Sequence, residues 1–277
     1  MSDDHFLEIQ HVGKSYTIGQ KDGSQKTIEV IRDVNQTVRQ GQFVSLVGPS
    51  GCGKSTLLEM VAGLTPATSG KLVLKGEEIT SPHPSLGMVF QEQSIFPWLN
   101  TLDNVMFGLD MQQGMSPSER RDRAASTLRL VGLHGFEYAF PRELSGGMRQ
   151  RVAIARTLAL DPDILLMDEP FAAVDPQTRM FIGAEIRRIW METNKTVLFV
   201  SHDINEVVFL SQEVWVMSHR PTNVLEKVQV ELPADRDISV LGSQGFTELT
   251  GYLWEVMHSE WAASQPDGAP VQPRRAA

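Results

Sequence analysis

The stretch Gly48-Pro49-Ser50-Gly51-Cys52-Gly53-Lys54-Ser55-Thr56 constrains this chain more than any other. It fits the spacing G-x-x-x-x-G-K-[ST]. A β-rich run, Phe43–Val47 (FVSLV), precedes it, and Lys54–Ala62 reads as a helix after it. The glycines let the backbone fold so that its N–H groups point inward, and the helix N-terminus adds partial positive charge. Such a loop cradles phosphate groups. In it Lys54 reaches the β- and γ-phosphates of a nucleotide, and the Ser55 hydroxyl ligates Mg²⁺. The competing explanation is a chance glycine-rich turn, which would arise in roughly one chain of this composition in a hundred. The flanking strand and helix make it rarer still.

Further strand runs alternate with helical patterns, the mark of an α/β sheet. Ile164–Met167 (ILLM) ends in Asp168-Glu169, and Thr196–Val200 (TVLFV) ends in Ser201-His202-Asp203. With Phe43–Val47 they deliver polar residues at strand C-termini, where open α/β sheets bind ligands. Gln177–Trp190 carries Ile182, Ile186 and Ile189 at helical spacing. The stretch from about Thr101 to Leu160 has few strand signals and reads as an inserted helical subdomain. Gly19–Thr27 is polar without apolar period and reads as a hairpin or surface loop. Phe246–Trp261 places Leu249, Tyr252, Leu253, Val256 and Met257 on one helix face, expected to pack on the domain body. The tail from Ser264, with Pro266, Pro270 and Pro273, reads as disordered. No internal repeat is visible.

Composition narrows the function. Hydrophobic residues make up 41% of the 277, enough for a sizeable core. The net charge of -9 argues against a nucleic-acid binder. One cysteine, Cys52, excludes an internal disulfide framework and a Cys-rich zinc site, and fits a cytosolic setting. The N-terminus lacks the pattern of a signal peptide, and no apolar run approaches the ~20 residues of a membrane span. If the chain works at a membrane, a partner is expected to supply the spanning segments.

Two more segments carry chemistry. With the phosphate loop upstream, Asp168 at a strand end can hold Mg²⁺ through water, and Glu169 can face the γ-phosphate and polarise an attacking water. Leu144-Ser145-Gly146-Gly147-Met148-Arg149-Gln150-Arg151 precedes the helical run Val152–Leu160. Ser145 can cap that helix, and the two glycines allow backbone approach to an anion.

Taken together, from about Leu7 to Leu232, the chain resembles the ATPase subunits of ABC transporters. The resemblance implies that Gly48–Thr56 is the Walker A motif and Ile164–Glu169 the Walker B motif with its catalytic glutamate. Leu144–Gln150 looks like the signature motif. Gln91 looks like the Q-loop glutamine, which contacts Mg²⁺ and the attacking water, and Ala172–Asp175 like the D-loop. His202 looks like the switch histidine that senses the γ-phosphate, and Tyr16 like the aromatic residue that stacks on adenine. The family usually has Gln where this chain has Met148, and often Ser-Ala-Leu-Asp where it has Ala-Ala-Val-Asp. The implied fold is a P-loop NTPase α/β core with an antiparallel β subdomain and an inserted helical signature subdomain. The ATPase domain then covers 1–240, with helices from about 92 to 160. A packed C-terminal helix follows over 241–263, then the tail over 264–277. The implied cofactors are ATP and Mg²⁺.

The same resemblance implies a head-to-tail dimer, with ATP between one chain's Walker A motif and the signature of the other. It also implies permease subunits as partners, a substrate-binding protein acting indirectly, and a place at the cytoplasmic face of the cell membrane. Ser94-Ile-Phe-Pro-Trp-Leu99, the signature LSGGMRQR and Val216-Met-Ser-His-Arg-Pro221 resemble the nitrate, sulfonate and taurine importer ATPases. A lipid or amino-acid transporter ATPase is the alternative, and a soluble non-transport ABC ATPase a further one. Two local expectations complete the reading. Cys52, inside the loop, either is only a small residue that fits there or, with Lys54 favouring its thiolate, is a thiol whose alkylation inactivates the chain unless nucleotide shields it. Phe96 and Trp98 either pack within the domain or line a groove that receives a permease helix.

Overall fold

The computed structural model describes residues 5–19, 24–172 and 174–263. Two sheets share the work. A four-stranded antiparallel sheet holds β1 (Leu7–Gly19), β2 (Gln25–Val38), β4 (Ser69–Leu74) and β5 (Glu77–Glu78), in the order β2-β1-β4-β5. A six-stranded sheet holds β3 (Phe43–Val47), β6 (Leu86–Val89), β7 (Ile164–Asp168), β8 (Thr196–Val200), β9 (Glu213–Met217) and β10 (Val224–Gln229). Its order is β10-β9-β3-β8-β7-β6, parallel except for β10 at one edge. Every residue of β3, β7, β8 and β9 is buried, which explains their unbroken apolar runs: a parallel sheet is covered on both faces.

The two faces feed two cores. On β7, Leu165 and Met167 join one core with α4 (Gly146–Ala159) and α5 (Pro176–Thr193). Ile164 and Leu166 join the other, with α1 (Lys54–Val61) and the antiparallel sheet. Period-2 alternation therefore sends Asp168, the next residue in that second set, towards α1. Phe43 of β3 ties the first core together, edge-on to Trp190 at 5.8 Å and 6.0 Å from Phe199.

Between β6 and β7 the chain forms α2 (Thr101–Leu109), α3 (Pro117–Leu130) and α4, joined by turns and loop. Ser116 and Glu119 make a reciprocal capping box at the start of α3. The hairpin expected over Gly19–Thr27 is narrower than the polar composition indicates. Gly19 pairs with Gln25, because antiparallel pairing satisfies the backbone of exposed polar residues as well as of apolar ones. The tip, 20–23, lies outside the described residues, as do Ala173 of the D-loop segment and the tail from 264. The last helix, α7 (Gln244–Ala263), buries Phe246 and Leu253 in the first core, with Leu249, Val256 and Met257 partly covered against it.

Sequence gave no hint of two buried arginines beneath α6 (Ile204–Leu210). Arg187 donates to the Leu210 carbonyl at 2.6 Å and the Ala234 carbonyl at 2.5 Å. Arg236 donates to the carbonyls of Val208, Phe209 and Ser211 at 2.9–3.1 Å, and to Pro233 at 2.7 Å. Together they satisfy the carbonyls at the C-terminal end of α6, where the helix dipole favours cations. Burial, joined at Arg236 by the nearby Arg187 charge, pulls both guanidinium pKa values down to about 10. Replacing Arg236 by Leu should strand those carbonyls and cost about 2–4 kcal/mol. Thermal unfolding should then fall by roughly 5–15 °C, and Lys at 236 should not restore it, lacking the planar fork. A Leu variant melting with the wild type would refute this role.

Candidate functional site

The parallel register brings the ends of β3, β7 and β8 to one edge: Leu46 pairs with Val200, and Val200 with Asp168. Beyond β3 the phosphate loop turns through Gly51 at φ 71° and Gly53 at φ 127°, conformations that favour glycine. At Gly48 the demand is steric, since a Cβ there would lie 2.7 Å from the Met217 carbonyl oxygen. Gly53 starts α1 without a side-chain cap, which leaves the first N–H groups of the helix available to an anion. Lys54 is buried, its ammonium bonded to the carbonyls of Gly48 at 2.8 Å and Pro49 at 2.9 Å. Pro49 is partly covered, Ser50 is exposed on the rim, and Thr56 is half-buried in the first turn of α1.

Ser55 Oγ donates to Asp168 Oδ1 at 2.9 Å. Asp168 is 9% exposed, and burial pushes its carboxyl pKa up against the hydrogen bond from Ser55. Glu169 and Glu59 raise it further, while Lys54 opposes them. A hydroxyl and a carboxylate held together within an excess of negative charge form a hard oxygen donor set suited to Mg²⁺. Ser55 and Asp168 would hold the ion.

Glu169 follows at φ 41°, an uncommon backbone for a non-glycine residue. Its N–H is fixed on the Val200 carbonyl at 2.9 Å and its own carbonyl accepts from Ala172 at 3.1 Å. That twist aims the side chain at His202, whose Nδ1 lies 3.0 Å from Glu169 Oε2.

Behind His202 stands a network that the sequence reading missed. Ser201 Oγ donates to the buried Glu206 at 2.5 Å and accepts from the Asp203 N–H at 3.0 Å. Asp203 caps α6, and Arg179 of α5 faces both acids, 3.6 Å from Asp203 and 3.3 Å from Glu206. Burial raises the Glu206 carboxyl pKa, with Ser201 opposing and Asp203 adding to the rise. The signal was present as the Asp-x-x-Glu spacing after His202, a helix-start pattern.

The remaining expected residues lie around this edge. Tyr16 of β1 pairs with Ile28, with the Lys14 ammonium 4.9 Å from its ring centre. Gln91 follows β6, is exposed and makes no side-chain hydrogen bond among the described residues. Its neighbour Gln93 is the anchored one, donating to the Gly146 carbonyl at 3.0 Å and accepting from Arg149 at 3.0 Å. Asp175 caps α5 through the Thr178 N–H. Ser145 caps α4 through the Met148 N–H. Gly146 is half-buried, but Gly147 is explained by packing: a Cβ there would lie 2.9 Å from Thr178 and 3.0 Å from Ile182. Ser145 is thus held in the helical layer, and among the described residues no hydrogen bond joins it to the phosphate loop.

Cys52 sits with its Sγ 3.9 Å from the Lys54 ammonium, as a small residue that fits the loop. Its side chain is 2% exposed and belongs to the core with Val30 and Ile31, so burial already shields the thiol that nucleotide was expected to protect.

The Asp168 geometry yields a test. Its folded carboxyl holds a proton more tightly than an unfolded one, so stability is lost as pH rises from the ordinary carboxylate range through the raised folded value. Asp168→Asn keeps an acceptor for Ser55 and removes that penalty. Without ligand it should melt at or above the wild-type temperature at neutral pH, and the two should converge in acid. MgATP should raise the melting temperature of the wild type only. A variant still stabilised by MgATP would count against Asp168 as an Mg²⁺-holding residue.

Residues 31–172 match the ABC transporter family. An ABC transporter ATP-binding protein of Methanocaldococcus jannaschii is 47% identical over 76% of this chain and 78% of its own length. The nitrate import ATP-binding protein of Synechocystis is 46% identical over 83% and 85%. The aliphatic sulfonates import ATP-binding protein of Bacillus cereus is 39% identical over 81% and 86%. Among solved structures, a dimeric post-hydrolysis ATP-binding cassette bound to ADP and Pi superimposes with a TM-score of 0.70. It is 32% identical and covers 82% of this chain and 100% of that one. Loop, strand ends and likenesses agree: the chain belongs to the ATP-binding family of ABC transporters and is an ABC-type ATPase.

Proposed function

We propose that this chain is the ATP-hydrolysing subunit of a bacterial importer for a small anion such as nitrate, a sulfonate or taurine. It works as a head-to-tail dimer on permease subunits at the cytoplasmic face of the inner membrane, with a substrate-binding protein upstream. One juxtaposition carries the catalytic part of this reading: the Ser55–Asp168 pair at 2.9 Å beside the Glu169–His202 pair at 3.0 Å. The importer part rests on relatives named for nitrate and aliphatic sulfonates.

Each residue then has a task. The loop N–H groups from Gly48 to Thr56 and the Lys54 ammonium hold the phosphates, and Tyr16 offers a ring face to adenine. Mg²⁺, when bound, neutralises charge on the β- and γ-phosphate oxygens. Glu169 orients a water and takes its proton as the water oxygen bonds the γ-phosphorus. The bond from that phosphorus to the bridging oxygen breaks, and ADP leaves with its electrons. His202 keeps the carboxylate aimed, and its own loop is fixed by Ser201 and Glu206. Gln91 would contact the Mg²⁺ and the attacking water. Ser145, Gly146 and Gly147 of a second chain would close over the γ-phosphate, with Asp175 at the seam. Ser145 bonds the Met148 N–H of its own helix and, among the described residues, makes no hydrogen bond to its own phosphate loop, which supports a second chain in that role.

The aromatic segment after Gln91 is neither wholly buried nor a loose groove. Ile95 packs on the core, and Phe96 is half-buried, 4.4 Å from Phe107 and 5.5 Å from Trp98 between ring centres. Asn104, fully buried, pins the segment through the N–H of Phe96 at 2.7 Å and the carbonyls of Phe96 and Leu99. Trp98 is left 71% exposed, with Phe107 and Met111 also exposed nearby on α2 and just after it. An exposed aromatic on a pinned loop suits a permease contact, linked to the signature helix by Gln93 and by Arg156 on the Ser94 carbonyl.

Glu169→Gln should bind ATP and turn over ~10²–10⁴-fold more slowly. The bound ATP should hold the chains as a dimer in gel filtration. Hydrolysis within about twofold of wild type would remove Glu169 as the base. Trp98→Ala should melt with the wild type yet lose permease copurification, since an aromatic anchor contributes about 2 kcal/mol or more. Normal assembly and transport by this variant would refute the docking role.

A further inference from the structure

The phosphate loop is buttressed from one side by a single turn, Ser218–Asn223, between β9 and β10. Met217, just before it, approaches Gly48: its carbonyl oxygen is 2.7 Å from where a Cβ would stand. Arg220 approaches Gly51, with Nη2 3.5 Å from that position, and the Thr222 methyl approaches Gly53 at 3.4 Å. Two of the loop's three glycines, Gly51 and Gly53, therefore meet this turn, and Gly48 meets the residue that leads into it. Between Ser50, Gly51, Cys52, His219 and Arg220 lies an open cleft of about 470 Å³.

The turn is itself stiff. The Ser218 N–H donates to the Asn223 carbonyl at 3.0 Å, Ser218 Oγ accepts from the Asn223 N–H at 3.0 Å, and Thr222 Oγ1 donates to the Ser218 carbonyl at 2.8 Å. On its inner side Thr222 is stitched to β2, donating to Val30 at 2.9 Å and accepting from Arg32 at 2.8 Å. Its outer corner, His219, is held by a residue 41 positions further on. Glu260 Oε1 accepts the His219 backbone N–H at 2.9 Å and lies 3.4 Å from the ring Nδ1. Glu260 stands near the end of α7, which is anchored by Phe246 near its start and Leu253 at its middle. A second tie from α7 to the same hairpin, Tyr252 Oη to Glu226 at 2.6 Å, lies on β10, away from the turn.

We propose that Glu260 is a positioning residue for nucleotide binding: by gripping the His219 N–H it seats the 218–223 turn against the phosphate loop. The loop must present its N–H groups in one arrangement to receive phosphates, and a loop rich in glycine costs the most entropy to order. A rigid neighbour reduces that cost before the ligand arrives, so the effect falls on affinity rather than on the hydrolytic step. The proposal rests on the reading of Gly48–Thr56 as the phosphate loop.

Glu260→Ala, Glu260→Gln, Tyr252→Phe and Lys54→Ala are compared in the full chain. Fluorescent ATP-analogue titration, steady-state kinetics, thermal melting and hydrogen exchange at amides 48–56 are measured. Glu260→Ala should weaken nucleotide affinity and raise KM roughly three- to tenfold, with little change in kcat. Its loop amides should exchange faster. Glu260→Gln keeps the acceptor and should restore affinity to near wild type. Tyr252→Phe cuts the other tie and should leave affinity unchanged. Wild-type affinity and exchange in Glu260→Ala would overturn the proposal, as would an equal loss in Tyr252→Phe. If Glu260→Ala melts far below wild type, failure of Glu260→Gln to recover affinity while folding normally also overturns it. Lys54→Ala separates the two readings. Lost binding there with unchanged Glu260→Ala defeats only the positioning role, whereas unchanged binding in Lys54→Ala defeats the phosphate loop itself.

Discussion

The in-register parallel pairing of β3 with β8 and of β8 with β7 is the constraint from which the site follows. The strands are buried on both faces, so their side chains are fixed by packing and their polar groups gather at the C-terminal edge. Pairing Val200 with both Leu46 and Asp168 places the phosphate loop, the acidic pair and His202 side by side. A slip by one residue would turn Asp168 away from α1 and break its bond with Ser55.

Several ionisable side chains are buried close to helix and strand ends of this fold. Asp168 and Glu206 are buried carboxyls whose pKa values rise because burial disfavours the ionised form. Their environments differ. Asp168 has a hydroxyl and a nearby ammonium, but two further acids crowd it. Glu206 is answered within the chain by Ser201 and Arg179 and serves to hold the His202 loop. Arg187 and Arg236 are the cationic counterparts, buried but covered by carbonyls at the end of α6. Each ion is kept where a helix end or a hydroxyl offsets part of its desolvation.

Much of the fold follows from patterns that are local. The strand runs, the helix spacing of α5 and the polar ends of β7 and β8 are set by periodicity, since each strand is covered on both faces and each helix on one. The phosphate loop is legible for the same reason: its conformation is dictated by glycines at fixed offsets and a helix start. By contrast, the exposed strand ends of β1 and β2 near Gly19 and Gln25 are held by pairing alone, which leaves no apolar signature.

The sequence by itself determined the residue types that can touch a phosphate, a cation and a water, because that chemistry depends on composition and spacing within a few residues. It also determined the order in which they occur. Tertiary structure alone decided which distant residues support them. Glu260 reaching His219, Arg236 covering α6, Gln93 rather than Gln91 bonding the signature helix, and Gly147 clearing Thr178 all depend on separations that no local pattern encodes. Tertiary structure also placed Cys52 within the core, 2% exposed. Periodicity reports which face of an element is buried; it does not report what that face meets.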